Sequence, residues 1–485
     1  MRTRKASRAM KTYRLSPMEL AVPRTSVDYL GEPDLLFAGD KQHCDPKTGI
    51  PLYGPRSLGT ARHKREVHVG FVGTAEAVDH AQQFYEACSQ GVVGDSDHAP
   101  FPGCTSNLGY RCELRTDGSL VEPITRQEHR DVLAIKNSRE RFETLLGLLD
   151  QKMRILTQKD YPLDYVVLAL SDDLYRKCRS VEYAEKRLGK IHRDLRRGFK
   201  ALAMQYQKPT QILLDSTTGL TDSSRKLDHG SVIAWNLFNG LYFKVDGLPW
   251  GPTELAPASC FIGISFYRPL GSQSTLRTSV VQAFDENGDG LILRGHRFDW
   301  DERDGKSPHL PEEMAGELIS MVLERYQQER GQLPQRVVVH KTSRFEPEER
   351  AGFEDALAGI GRYDLLSLCA TSEARLLRAG KYPPLRGTTF MVGDISYLYT
   401  SGYLPAQGRY PHGHVPSPLQ VADHVGDTPK RQLLREILVL TKMNWNSANM
   451  SGLMPITLRF ARLVGDILRE VPEGQMPQPK YKFYM

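Results

Sequence analysis

Four positions in the middle of this 485-residue chain, Arg196, Lys200, Gln211 and Lys244, have the side-chain types needed to hold a terminal phosphate out of water. Such a group carries close to two negative charges, so a dry site for it needs several donors: a guanidinium fork, ammonium point charges and an amide to orient it. Arg196 and Lys200 are four apart and share one helix face. They close a basic run in which Lys186, Arg187, Lys190, His192, Arg193, Arg196, Arg197 and Lys200 face the single acid Asp194. A solvated basic helix with an unrelated lysine further on is the plain alternative, because charge runs usually face water. Over the whole chain 64 Lys plus Arg stand against 58 Asp plus Glu, and the net +6 biases encounters toward polyanions without selecting one.

An α/β scaffold must position these residues. Residues 67–73 read as a buried strand and 75–90 as an amphipathic helix. Apolar positions at helical spacing (Val132, Ile135, Phe142, Leu145, Leu149, Met153, Leu156) predict one long helix within 125–159. Buried strands at 165–170 and 211–214 and a helix over 231–243 complete a β-α-β-α-β order. That order predicts a Rossmann-like parallel sheet over 67–250, in which ligands bind outside the carboxyl ends of the strands. From Cys260 the pattern changes. Strands at 261–267, 275–284 and 290–294 form a meander, followed by a helix at 311–330 and a buried strand at 336–340, which is the ribonuclease-H-like order. The Pro- and Gly-rich first 65 residues read as an extended arm, with a short strand at 33–37 and turn chemistry at Asp45-Pro46-Lys47-Thr48-Gly49.

The remaining features exclude more than they assign. The length requires two or three domains, and 40% hydrophobic, 25% charged and 9% aromatic residues describe a globular protein. Seven cysteines, at 44, 88, 104, 112, 178, 260 and 369, form no CxxC pair and read as reduced thiols. No stretch approaches the ~18 apolar residues of a membrane span, and the basic N-terminus lacks a signal-type apolar core, so a cytoplasmic location is expected. Asp285-Glu286-Asn287-Gly288-Asp289-Gly290 imitates the start of a calcium loop, but its twelfth position is His296, which cannot supply the closing bidentate carboxylate. A nucleotide-dependent metabolic enzyme is disfavoured because Gly70-Phe71-Val72-Gly73 lacks the third glycine of a dinucleotide fingerprint.

Lys208-Pro209-Thr210-Gln211, Asn236-Leu237-Phe238-Asn239-Gly240-Leu241-Tyr242-Phe243-Lys244 and Gly247-Leu248-Pro249-Trp250 resemble the phosphate-pocket motifs of the Argonaute middle (MID) domain. In that family a tyrosine or its substitute, a lysine, a glutamine and one or two further lysines grip the 5′ phosphate of a guide strand. The resemblance assigns these roles to Arg196, Lys200, Gln211 and Lys244. Two positions depart from the pattern: Arg196 replaces the stacking aromatic, and Gly240 stands where a penultimate lysine is usual. His192, Arg193 and Arg197 are the neighbours able to compensate. The resemblance also implies a magnesium ion at the guide phosphate, shared with the C-terminal carboxylate of Met485.

Val338-Val339-His340-Lys341-Thr342-Ser343-Arg344-Phe345 is similar to the family's strand ending in Arg-Asp-Gly, and Met454-Pro455-Ile456-Thr457-Leu458-Arg459-Phe460-Ala461-Arg462 to the helix carrying its last metal ligand. On that alignment Ser265, Thr342 and Arg462 occupy the three acidic or histidine positions. Two-metal hydrolysis needs carboxylates holding ions ~4 Å apart; two hydroxyls and a guanidinium cannot do so, and no slicing is expected. The likeness implies an N-terminal arm (1–66) packing on the PIWI domain, a MID domain (67–250) and an inactive PIWI domain (251–485). That content is similar to the short prokaryotic Argonautes, which use a guide RNA to recognise single-stranded target DNA. Resemblance then implies a heterodimer with an effector carrying an Argonaute-associated domain, a sirtuin-like or TIR-type NAD hydrolase or a nuclease. Oligomerisation on activation, NAD depletion and abortive antiviral defence follow in that scheme. The competing expectation is an active guide-directed endonuclease using Asp285, Asp289 or Asp394.

Overall fold

The computed structural model describes residues 24–485 apart from 117, 186–188, 220–225, 271, 273–274, 284–289, 301–306, 372, 409, 411–412, 451 and 473. Residues 1–23 of the arm, Lys186 and Arg187 of the basic run, and Asp285, Glu286, Asn287, Gly288 and Asp289 of the calcium-like turn lie outside the described residues. The N-terminal segment supplies β1 (Thr25–Tyr29), β2 (Leu35–Leu36), β3 (Gln42–His43) and α1 (Pro46–Tyr53). It is therefore less of an extended arm than expected. Asp45 is a helix N-cap, accepting from the Lys47 amide, and Pro46 takes the first helical position, where its missing N–H costs nothing.

The first α/β half runs through β4 (Glu66–Thr74), α2 (Ala75–Ser89), the small hairpin β5 (Cys104–Thr105) and β6 (Leu108–Gly109), β7 (Glu113–Arg115), β8 (Val121–Ile124), α3 (Arg126–Ala134), α4 (Ser138–Thr157) and β9 (Tyr165–Leu170). It continues with α5 (Asp172–Cys178), the hairpin β10 (Ser180–Glu185) and β11 (Gly189–Asp194), α6 (Leu195–Ala203), β12 (Thr210–Leu214) and α7 (Gly230–Lys244). The sheet order is β12-β9-β4-β7 with β8 also on β4, and every pairing is parallel, as expected. β9 is buried on both faces: Val166, Leu168 and Leu170 pack toward α4, and Val167 and Ala169 toward α2 and α7. The single helix expected over 125–159 is two. Thr125 and Glu128 form a capping box for α3, which ends at Ala134, and Asn137 accepts from the Arg139 and Glu140 amides to start α4.

The second half comprises β13 (Gly251–Pro252), β14 (Ser259–Tyr267), β15 (Thr275–Ala283), β16 (Leu291–Asp299), α8 (Glu312–Arg330), β17 (Arg336–Lys341), α9 (Pro347–Leu357) and β18 (Arg362–Ala370). β19 (Thr388–Val392), β20 (Ile395–Leu398), β21 (Leu419–Gly426), α10 (Lys430–Leu440) and α11 (Ile456–Leu468) follow. Nine strands form one sheet in the order β1-β19-β20-β21-β18-β17-β14-β15-β16, with β14, β17 and β18 parallel and the other pairings antiparallel. The β14-β15-β16 meander followed by α8 and parallel β17 is the expected ribonuclease-H-like order. Side chains of β14 alternate, Cys260, Ile262 and Ile264 meeting α8 and α9 and Phe261 meeting the opposite layer with α11. At Gly263 a Cβ would lie 2.3 Å from the Thr457 carbonyl oxygen, so only glycine lets α11 approach the strand this closely.

The halves share one apolar core. Phe243 of α7 stacks on Trp445 at 4.4 Å, and Tyr481 and Met485 are buried in the same cluster. Polar contacts cross it too: Asn239 donates to the Trp445 carbonyl, Trp250 to the Lys442 carbonyl and Trp445 to the Trp250 carbonyl. No helix among the described residues is long and apolar enough to cross a membrane.

Candidate functional site

Lys200 lies in the last turn of α6, Lys244 is the final residue of α7, and Thr210 and Gln211 open β12. The fold brings all four together. Both ammonium groups donate to one acceptor, the Thr210 carbonyl oxygen, each at 3.0 Å. Lys200 also reaches the Thr210 hydroxyl at 3.4 Å, and Lys244 the Gln211 side-chain oxygen at 2.7 Å. Lys244 sits 5.6 Å above the Tyr165 ring, a cation–π contact from the first residue of β9.

This places the cluster at the amino ends of β9 and β12, against the expectation of the strands' carboxyl ends. The reason is electrostatic. Both lysines lie in the last turns of their helices, where the backbone dipole is negative and favours cations, so the cationic site forms at the helix C-terminal ends and the strands' starting edge.

Both lysines are almost fully excluded from solvent. Burial pushes the Lys244 ammonium down to about 7, with the Arg196 guanidinium adding repulsion. Burial first, then Lys244 and Arg196, push Lys200 well below the usual lysine range. Two buried ammoniums sharing one neutral carbonyl, with a third cation nearby, leave positive charge uncompensated. Among the described residues no carboxylate pairs with this cluster.

The neighbouring cations separate clearly. Arg196 is half-buried beside the pocket and has no carboxylate partner among the described residues. Arg193 is committed elsewhere: its guanidinium pairs with Glu143 and, at 2.8 Å, with Glu470, and covers the Phe142 ring. Arg197 pairs with Asp466 of α11 at 3.3 Å. Arg193 thus ties β11, and Arg197 ties α6, to α11 and the turn after it. His192 is exposed on β11, opposite Glu182. Gly240 is buried, facing the Trp445 carbonyl. Met485 is buried in the same apolar cluster as Tyr481, whose hydroxyl feels the charge of Arg196. Sequence reasoning missed Thr210 as the shared acceptor and Tyr165 as the ring under Lys244, since neither type at its position signals a binding role.

The three positions that the resemblance sets in place of metal ligands also meet. Ser265 near the end of β14, Thr342 just after β17 and Arg462 on α11 line one cleft of about 830 Å³. Arg268, Arg459 and Arg469 line it too, and Asp466 is the carboxylate among its described lining residues. Behind it His340 is buried, bonded at 2.8 Å to the Thr457 hydroxyl, and burial holds its imidazole neutral, down to about 3. Lys341 is buried against Glu349. Asp394 lines a different cleft, between β20, β21 and α10.

No protein-family profile matches the chain. It is similar to the argonaute protein of Thermus thermophilus, 28% identical over 168 residues, which is 33% of this chain and 23% of that protein. Its fold matches Clostridium butyricum Argonaute bound to a guide DNA and a 19-mer target DNA, with TM-score 0.65 and 15% identity over 93% of this chain and 54% of that one. It also matches Drosophila Piwi, with TM-score 0.59 and 13% identity over 94% and 56%. The chain thus spans about half the length of these solved structures and under a quarter of the curated relative. By sequence and fold it is Argonaute-like.

Proposed function

We propose that the chain is a guide-nucleic-acid-binding protein of the Argonaute family that recognises a paired target without cutting it. The observation carrying this reading is the buried convergence of Lys200, Lys244 and Gln211 on Thr210, with Arg196 at its rim. A guide 5′ phosphate entering the cluster would replace the Thr210 carbonyl as acceptor and supply the negative charge the lysines lack. Of the neighbouring cations, Arg196 rather than Arg193 or Arg197 is assigned the rim position, because the other two are paired with carboxylates. Anchoring the phosphate fixes the guide's register; base pairing then reads sequence, while the protein holds backbone and duplex shape.

In this reading magnesium at the guide phosphate supplies further charge neutralisation when bound. The cationic side chains cannot ligate it, so on this chain the Gln211 side-chain oxygen and the terminal carboxylate of Met485 would be its oxygen ligands. The cleft lined by Ser265, Thr342 and Arg462 is an arginine-lined surface for target backbone, since hydroxyls and guanidiniums cannot hold paired divalent ions. With a guide RNA bound, the target is single-stranded DNA, and the enzymatic output belongs to an associated NAD-depleting or nuclease effector in defence against plasmids and phage.

The test is direct. Purified chain should bind 5′-phosphorylated RNA more tightly than the 5′-hydroxyl form, and leave a matched, end-labelled DNA target intact with Mg²⁺ or Mn²⁺. Equal affinity for both ends refutes the pocket; a cleaved target refutes the loss of catalysis.

A further inference from the structure

At the far end of α7 from Lys244, three potential metal ligands stand together. Asp95, His98 and His229 each offer an atom within 4.8 Å of the others. The Asp95 carboxylate lies 3.0 Å from His98 Nδ1 through Oδ2, and the same oxygen is 3.7 Å from His229 Nε2. Tetrahedral zinc with bonds near 2.0–2.1 Å puts its ligand atoms about 3.3 Å apart, inside this spread. The two imidazoles stack face to face at 4.7 Å with planes 2° apart. Parallel stacked rings cannot both aim an in-plane lone pair at one ion, so loading requires the His98 ring, on the loop, to turn out of the stack.

The arrangement is held by more than the three side chains. Asp95 Oδ1 accepts from the Asp97 and His98 amides, each at 2.7 Å, which aims Oδ2 at the histidines. A Cβ at Gly94 would lie 2.1 Å from the His98 carbonyl oxygen, so the turn closes only with glycine there. The loop is pinned by the Val92–Phe101 bridge and by Trp235 of α7 donating to the Pro100 carbonyl at 3.0 Å. His229 is the N-cap of α7, with Nδ1 2.9 Å from the Ser231 hydroxyl.

We propose that Asp95, His98 and His229 form a zinc(II) site that clips the loop over 91–103 to the head of α7. Asp95 Oδ2, His98 Nδ1 and His229 Nε2 are the protein ligands, and water completes the shell at this part-exposed position. On loading, His229 Nδ1–H donates to the Ser231 hydroxyl and fixes the ring, giving up its weaker acceptance from the Ser231 amide at 3.2 Å. The carboxylate offsets the unfavourable dipole at the helix head. Two imidazoles and one carboxylate select a borderline transition ion over magnesium or calcium, which prefer oxygen. The site is remote from the phosphate pocket and does not depend on that reading.

The experiment uses untagged full chain, stripped with a chelator and exchanged into chelator-free buffer. Zinc is titrated against a chromophoric competitor, and cobalt(II) is followed by its ligand-field absorption. Wild type should take up one equivalent of zinc more than His98→Asn or His229→Gln, give a cobalt band that both variants lack, and gain thermal stability on zinc addition. His229→Gln removes a helix cap, so His98→Asn, on the loop, decides the matter once circular dichroism shows it folded. Equal zinc uptake by wild type and His98→Asn overturns the site; displacement of cobalt by equimolar magnesium overturns the zinc assignment.

Discussion

Replacing Lys244 with methionine, which keeps the bulk and removes the charge, tests the phosphate pocket most sharply. With its free ammonium near 7, Lys244 is partly neutral at pH 7.5 and must take up a proton to meet a dianionic phosphate. Restoring that proton costs about 0.7 kcal/mol at pH 7.5, and the charge-assisted bond it then makes contributes roughly 2 to 3 kcal/mol. The net loss in Lys244→Met is therefore about 2 kcal/mol, or roughly 30-fold in affinity. The sign of the pH dependence follows from the same shift. The bound lysine holds its proton to higher pH than the free one, so affinity is full below about 7 and falls, by up to tenfold per pH unit, as pH rises toward the bound value. Below about 6 the phosphate itself becomes a monoanion and affinity drops again. Calorimetry of 5′-phosphorylated RNA in two buffers of different ionisation enthalpy should detect close to one proton more taken up at pH 8 by wild type than by Lys244→Met. A flat affinity between pH 7 and 9 with no proton uptake would refute the reasoning.

Without guide, the depressed Lys244 means the unfolded chain binds more protons between pH 7 and the ordinary lysine range, so from pH 7 to 9 stability should rise by roughly 2 kcal/mol more in wild type than in Lys244→Met, as urea melts would show. Arg193→Ala leaves Glu470 buried without its partner and should cost about 3 kcal/mol of stability while retaining the preference for 5′-phosphorylated RNA in filter binding. Arg336, almost fully buried, bridges Asp364 and Glu436, so Arg336→Met should cost on the order of 3 to 5 kcal/mol in denaturant melts. Arg462→Glu should weaken target capture and lower its salt dependence without altering guide affinity; an unchanged salt slope would remove Arg462 from the target path.

Much of the architecture was written into local patterns. The apolar runs of β9 and β17 marked strands buried on both faces, and the meander from Cys260 followed by a helix marked the second sheet. What misled was local chemistry with two meanings. Asp45-Pro46 serves a turn or a helix start, and Asn137-Ser138 sits unnoticed inside a helical period that continues across it. In the pocket, residue type alone left Lys200, Gln211 and Lys244 open to the reading of a solvated basic helix and an unrelated lysine, and it was the resemblance to the MID motifs that nominated them.

Which arginine stands at the pocket's rim could not come from spacing, because Arg193, Arg196 and Arg197 lie within five residues and differ only in what surrounds them. The structure separates them by placing Glu143, Glu470 and Asp466, all distant in sequence, against Arg193 and Arg197. It likewise puts the cluster at the strands' amino ends, where two helix C-termini converge on Thr210, and gathers Asp95, His98 and His229 across more than a hundred residues. Residue type depends on the chain alone; charge compensation depends on which remote groups share a low-dielectric space, and only packing sets that.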